Sequence, residues 1–373
     1  MNRRHFMKLV ASAPLVASTP CLLTHVAWAA APTGADYRKL LVLIELKGGN
    51  DGLNTLVPHA SEAYYALRPK LAIARDQVIK LSDRVGLHPA LEPLLPFWKS
   101  HELAVLQGVG YPAPNLSHFR SIEIWDTASK SEEYLQDGWL TRAFAAAPTP
   151  LDFAADGIII GSADLGPLAG SGTRAIALAN AEQFLRRARY VTVEGQARNK
   201  ALQHILKVEA AIVQAASRLN ADYALKTEFP PTAFGNAIKT ACQVIASPAG
   251  VAVVRLLGEL ATGIAALKAA LEELGRWNDS LLLTYAEFGR RPKENLSNGT
   301  DHGTSSVHFA LGGRVVGGLY GEQPSLERLS SDGNLGYALD FRSIYATVLE
   351  RLWHVASAPA LGGKFATVPF LPA

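Results

Sequence analysis

The stretch LLVLIEL occupies residues 40–46, and Gly48 and Gly49 follow it almost at once. A short, near-continuous apolar run of this kind is typical of a β-strand that is buried on both faces, as strands are in a parallel sheet. Similar runs recur along the chain and predict further strands at residues 103–107 (LAVLQ), 158–160 (III), 175–178 (AIAL), 251–256 (VAVVRL) and 281–285 (LLLTY).

Helices are predicted between these strands. Helical patterns are found at residues 90–100, 257–274 and 341–354, the last with Asp340 as its N-cap, and a longer helical segment covers about residues 181–245. Strands that alternate with helices indicate a three-layer α/β/α sandwich with a mostly parallel central sheet. We expect residues 30–373 to form this fold as a single domain.

Residues 1–29 are predicted to be an export signal. Arg3 and Arg4 precede Phe6, a mildly apolar stretch extends from residue 9 to residue 26, and residues 27–29 (AWA) have the spacing of a cleavage site. The arginine pair favours the twin-arginine translocase as the partner during export, and an ordinary Sec signal is the alternative. The mature protein is therefore expected in the periplasm or outside the cell.

Removal of this leader leaves a chain without a formal net charge, because the value of +3 is matched by Arg3, Arg4 and Lys8. A neutral protein offers no electrostatic field for non-specific binding of nucleic acid or of an anionic membrane surface. No later stretch reaches the roughly eighteen consecutive apolar residues that a membrane helix needs. We expect neither a nucleic-acid partner nor a stable membrane anchor.

Polar, glycine-rich segments follow three of the predicted strands, at residues 48–54, 108–120 and 287–306. Ligands of open α/β sheets gather beyond the carboxyl ends of the strands, so we expect any chemistry in these segments. In the first segment Asp51 stands between Asn50 and Gly52, where its carboxylate could ligate a hard or borderline cation. The alternative is an ordinary turn, which has the same composition.

In the second segment Ser117 and His118 stand before a helix that is predicted to begin at Ser121. A serine at such a helix start could act as a nucleophile, because the backbone amides there favour an anionic phosphate or sulfate group. Serine is also a favoured N-cap residue, and His118 could simply pack against its neighbours. These two residues alone leave both interpretations open.

In the third segment, which we expect to form a loop, Asp301 and His302 are adjacent and flanked by glycines, with Glu287 before them and His308 after them. Carboxylate oxygens and imidazole nitrogens are donors that zinc and manganese accept. The segment therefore provides candidate metal ligands, although an Asp-His dipeptide is too short to be specific.

Several longer motifs resemble a known family. They are NDG at residues 50–52, NLSHFRS at 115–121, DGWLTR at 137–142, EFGRRPKEN at 287–295, GTDHG at 299–303, VVGGLYGEQPSL at 315–326 and DFRSIYATVLE at 340–350. Together they resemble the exported proteins grouped as domain of unknown function 1501, over nearly the whole mature chain. That family is similar to the alkaline phosphatase and sulfatase superfamily, whose members carry two metal sites at strand ends and a Ser, Thr or modified Cys nucleophile.

The resemblance implies an alkaline-phosphatase-like fold and a metal-dependent hydrolase of phosphate or sulfate esters, with a small-molecule ester as substrate. The cofactor would be a divalent metal such as zinc, manganese, calcium or magnesium. The resemblance assigns Ser117 as the nucleophile and Asp51, Asp301 and His302 as metal ligands. His118 and Glu287 match motif positions of the family to which it gives no role. We include His118 as a candidate catalytic residue and Glu287 and His308 as candidate metal ligands.

One departure from the family pattern leaves a second interpretation open. Family members usually carry a Gly-Phe-Asp-Thr-His run after the strand that corresponds to VAVVRL, and its Asp and His are the expected ligands of a second metal. In this sequence the predicted strand ends at Leu256 and is followed directly by the helix predicted from residue 257, without that run. The alternative is therefore a non-catalytic periplasmic binding or assembly protein that has lost part of the metal site.

Overall fold

The computed structural model describes residues 34–178, 223–247, 250–257 and 261–373. The predicted leader and residues 181–222 of the predicted helical segment lie outside the described residues. The strands are β1 (Leu40–Glu45), β2 (Leu56–Val57), β3 (Ile79–Lys80), β4 (Gly86–Leu87), β5 (Leu103–Gly110), β6 (Ala155–Ile160), β7 (Ala175–Leu178), β8 (Val251–Leu257), β9 (Ser280–Tyr285), β10 (Gly289–Glu294), β11 (Thr300–Gly303), β12 (Ser306–Leu311), β13 (Gly318–Gly321) and β14 (Leu339–Asp340).

Helices connect most of these strands. The α-helices are α1 (Gly52–Thr55), α2 (Glu62–Leu67), α3 (Leu95–Lys99), α4 (His118–Thr127), α5 (Trp139–Ala146), α6 (Ala233–Ala246), α7 (Ala261–Glu273), α8 (Phe341–Thr347) and α9 (Ala358–Leu361). Three 3₁₀ turns occupy Pro89–Leu94, Gly166–Leu168 and Trp277–Asp279, and a π-helical turn at Val348–Leu352 continues α8. Among the described residues no helix is long and apolar enough to cross a bilayer.

The central sheet has the strand order β13-β5-β12-β9-β1-β8-β6-β7, and β14 pairs with β5 beside it. Strand β1 pairs in parallel with both of its neighbours, β8 and β9. Among the described strands of this sheet, only β12 runs antiparallel to the strands on either side, β5 and β9. The sheet is therefore mostly parallel, as the continuous apolar strands predict.

Both faces of the sheet are covered. Leu41 and Leu43 of β1 pack in a core with side chains of α4, α5 and α8. Val42 and Ile44 of the same strand pack in a second core with side chains of α3, α6 and α7. A strand buried on both faces gains roughly 1.5–3 kcal/mol for each large apolar side chain that leaves water. The predicted three-layer α/β/α sandwich is confirmed.

Strands β1, β5, β7, β8 and β9 lie where the apolar runs predict them, and Asp340 caps α8 by accepting a hydrogen bond from the Arg342 amide at 2.9 Å. The segment at residues 287–306 differs from the expected loop, because it folds into the antiparallel hairpin β10–β11. Helix α4 begins at His118 rather than at Ser121, with Ser117 as its N-cap residue. These two differences determine how the candidate site is built.

Candidate functional site

Three segments that follow strands of the sheet meet at its carboxyl edge. The turn after β1 contacts the segment after β9, since the Asn50 amide donates to the Phe288 carbonyl at 3.1 Å and the Gly48 amide donates to Glu287 Oε1 at 2.8 Å. The segment after β5 leads into α4, which places His118 beside Glu287. Parallel strands end at the same edge, so residues far apart in the sequence come together there.

His118 and Glu287 form a hydrogen-bonded pair. His118 Nδ1 lies 2.8 Å from Glu287 Oε1, the oxygen that also accepts from Gly48. An ionised carboxylate can only accept, so Nδ1 carries the proton of the neutral imidazole and Nε2 carries the lone pair. The Glu287 side chain is 4% exposed and that of His118 is 46% exposed. A buried carboxylate therefore orients an imidazole whose other nitrogen is open to solvent.

Glu287 keeps unused hydrogen-bonding capacity. Its second oxygen, Oε2, is buried and has no hydrogen-bond partner among the described residues. A buried carboxylate oxygen without a donor is costly in a low-dielectric environment. Buried polar atoms that lower stability in this way are typical of functional sites, where a residue is retained for its chemistry and not for stability alone.

A second imidazole, that of His302, stands next to His118. The two rings are 4.5 Å apart between centroids and meet edge to face, and both contact the Phe288 ring, at 4.7 Å from His118 and 4.3 Å from His302. His302 Nδ1 lies 2.8 Å from the Leu116 carbonyl oxygen. Because a carbonyl oxygen only accepts, Nδ1 carries the proton here as well, and both imidazoles leave Nε2 without a protein partner in the described residues.

Two arginines of β10 lie beside these imidazoles. Arg290 donates to the Thr300 carbonyl at 2.9 Å and to the Gly48 carbonyl, so its guanidinium is fixed between the hairpin and the turn after β1. Arg291 has no ion-pair partner among the described residues, and its Nε is buried without a hydrogen bond. An open depression of about 450 Å³ is lined by Leu116, Arg290, Arg291, Thr300, Asp301 and His302.

Asp51 is already paired with a cation of the protein. Asp51 Oδ2 accepts from Arg68 Nη1 at 2.7 Å, and the Arg68 side chain is fully buried. The same guanidinium donates to Asn54 Oδ1 at 2.8 Å and to the carbonyls of Arg291 and Pro292 at 3.0 and 2.8 Å. One of the two carboxylate oxygens that a hard metal would need is therefore directed at a guanidinium, whereas the other, Oδ1, is buried without a hydrogen-bond partner among the described residues.

Asp301 and His302 do not converge on one point. They are successive residues of β11, and successive side chains of a strand point to opposite faces. The Asp301 carboxylate is exposed and accepts from Asn295 Nδ2 at 2.9 Å, whereas His302 turns towards Leu116 and His118. The dipeptide would suit one metal only if it lay in a loop, and it lies in a strand.

His308 lies inside the protein. It belongs to β12, is fully buried, and contacts the Trp125 ring at 5.2 Å between centroids. Burial lowers the pKa of His308 to about 3, so the imidazole is neutral at physiological pH. Neither ring nitrogen has a hydrogen-bond partner among the described residues. His308 therefore lies in the core, apart from the other predicted site residues.

Ser117 stands at the edge of the site. It is exposed, its amide donates to Asn115 Oδ1 at 2.9 Å, and its hydroxyl makes no capping hydrogen bond to α4. In the part of the chain that the structure describes, no base contacts that hydroxyl. A nucleophilic serine is normally activated by a base within hydrogen-bond reach.

The predicted ligands do not fit a resident metal. Across the described ranges no group of three His, Cys, Asp or Glu side chains could hold a metal ion. Asp51 is paired with Arg68, Asp301 points away from His302, and His308 is in the core. The residues that do come together are His118, Glu287 and His302.

A second guanidinium occupies the end of β8, where the family's Asp-His run is missing. Arg255 is buried, is ion-paired with Glu45 of β1, and donates to the Tyr285 hydroxyl at 2.8 Å. Burial raises the pKa of the Glu45 carboxyl, and the charge of Arg255 opposes this shift. Residues 258–260, which follow directly, lie outside the described residues.

Two parts of the site were missed by the sequence analysis. Arg68 carries no recognisable motif, and its distance of 17 residues from Asp51 suggests no contact. Arg291 belongs to the EFGRRPKEN motif, but a pair of arginines on a polar segment is also typical of a solvated surface. The signal that could have identified Arg291 is its place directly after a predicted strand end.

Residues 249–358 match the family described as "Protein of unknown function (DUF1501)". The resemblance to this family is confirmed over these residues. No curated protein matches the chain.

Several solved structures are similar at a low level. The alkaline phosphatase from the Antarctic bacterium TAB5 is 12% identical, with 76% of this chain and 94% of that chain covered and a TM-score of 0.30. The C-terminal periplasmic domain of EcEptC from Escherichia coli, in complex with Zn, is 12% identical over 76% of this chain and 77% of that chain, with a TM-score of 0.32.

The lipoteichoic acid synthase LtaP from Listeria monocytogenes is 9% identical over 79% of this chain and 69% of that chain, with a TM-score of 0.29. At these TM-scores the three similarities carry no argument about the chemistry of this chain.

Proposed function

We propose that this chain is an exported hydrolase of phosphate or sulfate esters that acts through His118 and not through a resident metal. The observation that carries the proposal is the hydrogen bond of 2.8 Å between His118 Nδ1 and the buried carboxylate of Glu287. A carboxylate in this position holds an imidazole in one tautomer and stabilises its cationic form. His118 Nε2 is then the reactive atom of the site.

The charge around the imidazoles supports an anionic substrate. Arg290, Arg291 and His302 line the depression, and Asp301 is the only carboxylate among its lining residues. Guanidinium groups bind phosphate and sulfate oxygens well because of their planar array of donors. A small-molecule ester with a terminal anionic group fits this excess of positive charge.

The proposal is tested by assaying purified protein against a panel of aryl phosphates and aryl sulfates before and after treatment with EDTA. We expect turnover that survives EDTA, and a loss of roughly 10²–10⁴-fold in kcat on His118→Asn. The matched control is His101→Asn, which removes an exposed imidazole elsewhere. Protein that is inert towards the whole panel, or activity that disappears with the metal, would contradict the proposal.

A second candidate function is favoured by the ion pair between Asp51 and Arg68. Because a fixed guanidinium takes the place of a metal next to the first strand, the fold could persist as a non-catalytic binding or assembly protein. In that case the protein would turn over no ester of the panel, yet inorganic phosphate or sulfate would still raise its melting temperature. Loss of this shift on Arg291→Ala would locate the binding at the depression.

Export through the twin-arginine translocase is proposed from the leader alone. Fusion of residues 1–29 to a reporter that is active only after folded export would test it. We expect export that is abolished when Arg3 and Arg4 are both replaced by lysine. No signal from this reporter, together with export of a second reporter that crosses the membrane unfolded, would favour the Sec alternative.

A further inference from the structure

We infer that Nε2 of His118, and not the hydroxyl of Ser117, is the nucleophile of this site, and that phosphate monoesters are its substrates. The inference rests on the proposed function, because it names the reacting atom and the substrate class of the same hydrolase. His302 is assigned as the acid that protonates the leaving oxygen.

His118 has the properties of an activated nitrogen nucleophile. Nδ1 is held by Glu287, so the lone pair is confined to Nε2, on a ring that is about half exposed. A phosphoryl group bound at Nε2 gives the imidazole a positive charge, which the adjacent carboxylate stabilises. The Gly48 amide fixes this carboxylate by its own hydrogen bond at 2.8 Å.

Ser117 lacks the corresponding support. The only side-chain base next to it in the sequence is His118, whose Nδ1 is already bound to Glu287. No hydrogen bond joins the Ser117 hydroxyl to any imidazole in the described residues. A hydroxyl in this state keeps its proton at neutral pH and is a weak nucleophile.

His302 is placed to act as the acid. Its Nδ1–H is bound to the Leu116 carbonyl at 2.8 Å, so in the cationic form its remaining proton is on Nε2. The ring lies 4.5 Å from that of His118, between centroids, and the two imidazoles differ in their partners. In the phosphorylated intermediate the positive charge of the His118 ring faces the Glu287 carboxylate, whereas the His302 ring faces a neutral carbonyl.

The substrate class follows from the balance of charge. Two guanidinium groups and one imidazole line the depression, against the single carboxylate of Asp301. A phosphate monoester carries nearly two negative charges at neutral pH, whereas a sulfate monoester carries one. The excess of positive charge matches the phosphate monoester better.

The reaction balances in two steps. In the first, the Nε2 lone pair of His118 forms the N–P bond, the P–O bond to the alcohol breaks, and the leaving oxygen takes the proton from His302 Nε2. In the second, water attacks phosphorus and gives its proton to His302, the O–P bond forms, and the N–P bond breaks. Inorganic phosphate is released, and both imidazoles return to their starting state.

The test is to quench the protein during turnover of a ³²P-labelled aryl phosphate and to characterise the label. A phosphohistidine is labile in acid and stable in alkali, whereas a phosphoserine is stable in acid and labile in alkali. We expect an acid-labile label, located on His118 by mass spectrometry of the unmodified sequence. His118→Asn should abolish the label, and the neighbouring Ser117→Ala should retain it with turnover changed by less than about threefold.

The role of His302 has its own readout. General acid catalysis matters most when the leaving group is a poor one. His302→Asn should therefore slow an alkyl phosphate at least tenfold more than a nitrophenyl phosphate. An equal loss on both substrates would assign His302 to structure only and overturn this part of the inference.

Failure of the inference differs from failure of the proposed function. Turnover with an acid-stable label that Ser117→Ala removes, or turnover of sulfates in preference to phosphates, would overturn the inference and leave the hydrolase standing. Absence of both label and turnover would overturn both. Because the label is mapped in the unmodified protein, the outcome does not depend on whether His118→Asn folds.

Discussion

Arg68 Nη1 lies 2.7 Å from Asp51 Oδ2, and the arginine side chain that makes this contact is fully buried. The guanidinium also donates to two carbonyls of β10, so it joins the turn after β1 to the hairpin that carries Arg290, Arg291 and His302. Asp51 is therefore the counter-charge of a structural arginine. Asp51, which the sequence predicts as a metal ligand, instead helps to fix the turn after β1 against the hairpin, through its ion pair with Arg68.

Replacement of this arginine tests that role. Arg68→Ala leaves a partly buried carboxylate and two carbonyls without their donor, and we expect a loss of about 3 kcal/mol in the free energy of unfolding. Urea unfolding followed by circular dichroism measures the loss. The control is Arg75→Ala, because Arg75 pairs with Glu62 at the surface, where both side chains are more than half exposed. The control should leave the unfolding midpoint unchanged; equal losses in both variants would refute the assignment.

Glu287→Gln tests the orientation of the imidazole. The amide keeps the shape of the side chain but cannot stabilise a cationic ring, so we expect kcat to fall by roughly 10²–10⁴-fold while KM changes by less than about threefold. Glu62→Gln is the matched control, since this exposed carboxylate lies outside the site and pairs with Arg75 at the surface. A purely structural role for Glu287 would lower the unfolding midpoint and leave kcat per folded molecule as it was.

Gly48 and Gly49 offer a matched pair in the turn after β1. Both have positive φ, of 103° and 81°, so alanine is strained at either position. At Gly49 an added Cβ would also lie 2.6 Å from the Phe288 ring, whereas at Gly48 nothing lies within 4 Å. We expect Gly49→Ala to cost at least about 1 kcal/mol more than Gly48→Ala in urea unfolding.

The displaced ring should also affect the site, because Phe288 contacts both His118 and His302. Gly49→Ala is therefore expected to lower turnover more than Gly48→Ala does. If the two variants were alike in stability and in turnover, the contact with Phe288 would be shown to be unimportant.

His308 predicts a pH dependence of stability. Burial lowers its pKa from 6.5 to about 3, so between these values the unfolded chain takes up a proton that the folded protein does not. The free energy of unfolding therefore falls as the pH falls, with a slope of at most about 1.4 kcal/mol per pH unit from this residue. His308→Phe should lack this contribution, so its free energy of unfolding should fall less steeply than that of the unmodified protein between pH 7 and pH 4. His101→Asn removes an exposed imidazole and should keep the steeper fall; equal slopes in His308→Phe and in the unmodified protein would disprove the assignment.

The core of the fold was predictable because its strands are buried on both faces. Strand β1 shows this directly. All six of its residues are buried, and their sequence, LLVLIE, is apolar at every position but the last. The hairpin β10–β11 was not predictable, because GRRPKE and TDHG contain neither an apolar run nor a clear alternation. Its pairing depends on contacts with the turn after β1, which local sequence does not encode.

The location of the candidate site was predictable from the sequence, whereas the residues that form it were predictable only in part. Three strand-end segments meet where the topology of an open sheet requires, and His118, Glu287 and His302 lie there. The grouping of Asp301 with His302 assumed a loop, and strand β11 separates their side chains. Whether any of the seven predicted site residues takes part in chemistry stays a prediction until the variants are made.

The pairing of His118 with Glu287 also bears on how the protein reaches its folded state. The two residues are 169 positions apart, and Gly48, which completes the arrangement, is 239 positions from Glu287. Contacts of such long range form only after the intervening chain has been ordered, since closing large loops costs entropy that local contacts must first offset. The NMR signal of the His118 ring should consequently reach its native position in the last kinetic phase of refolding, and it would report completion of the whole sheet and not the growth of one helix.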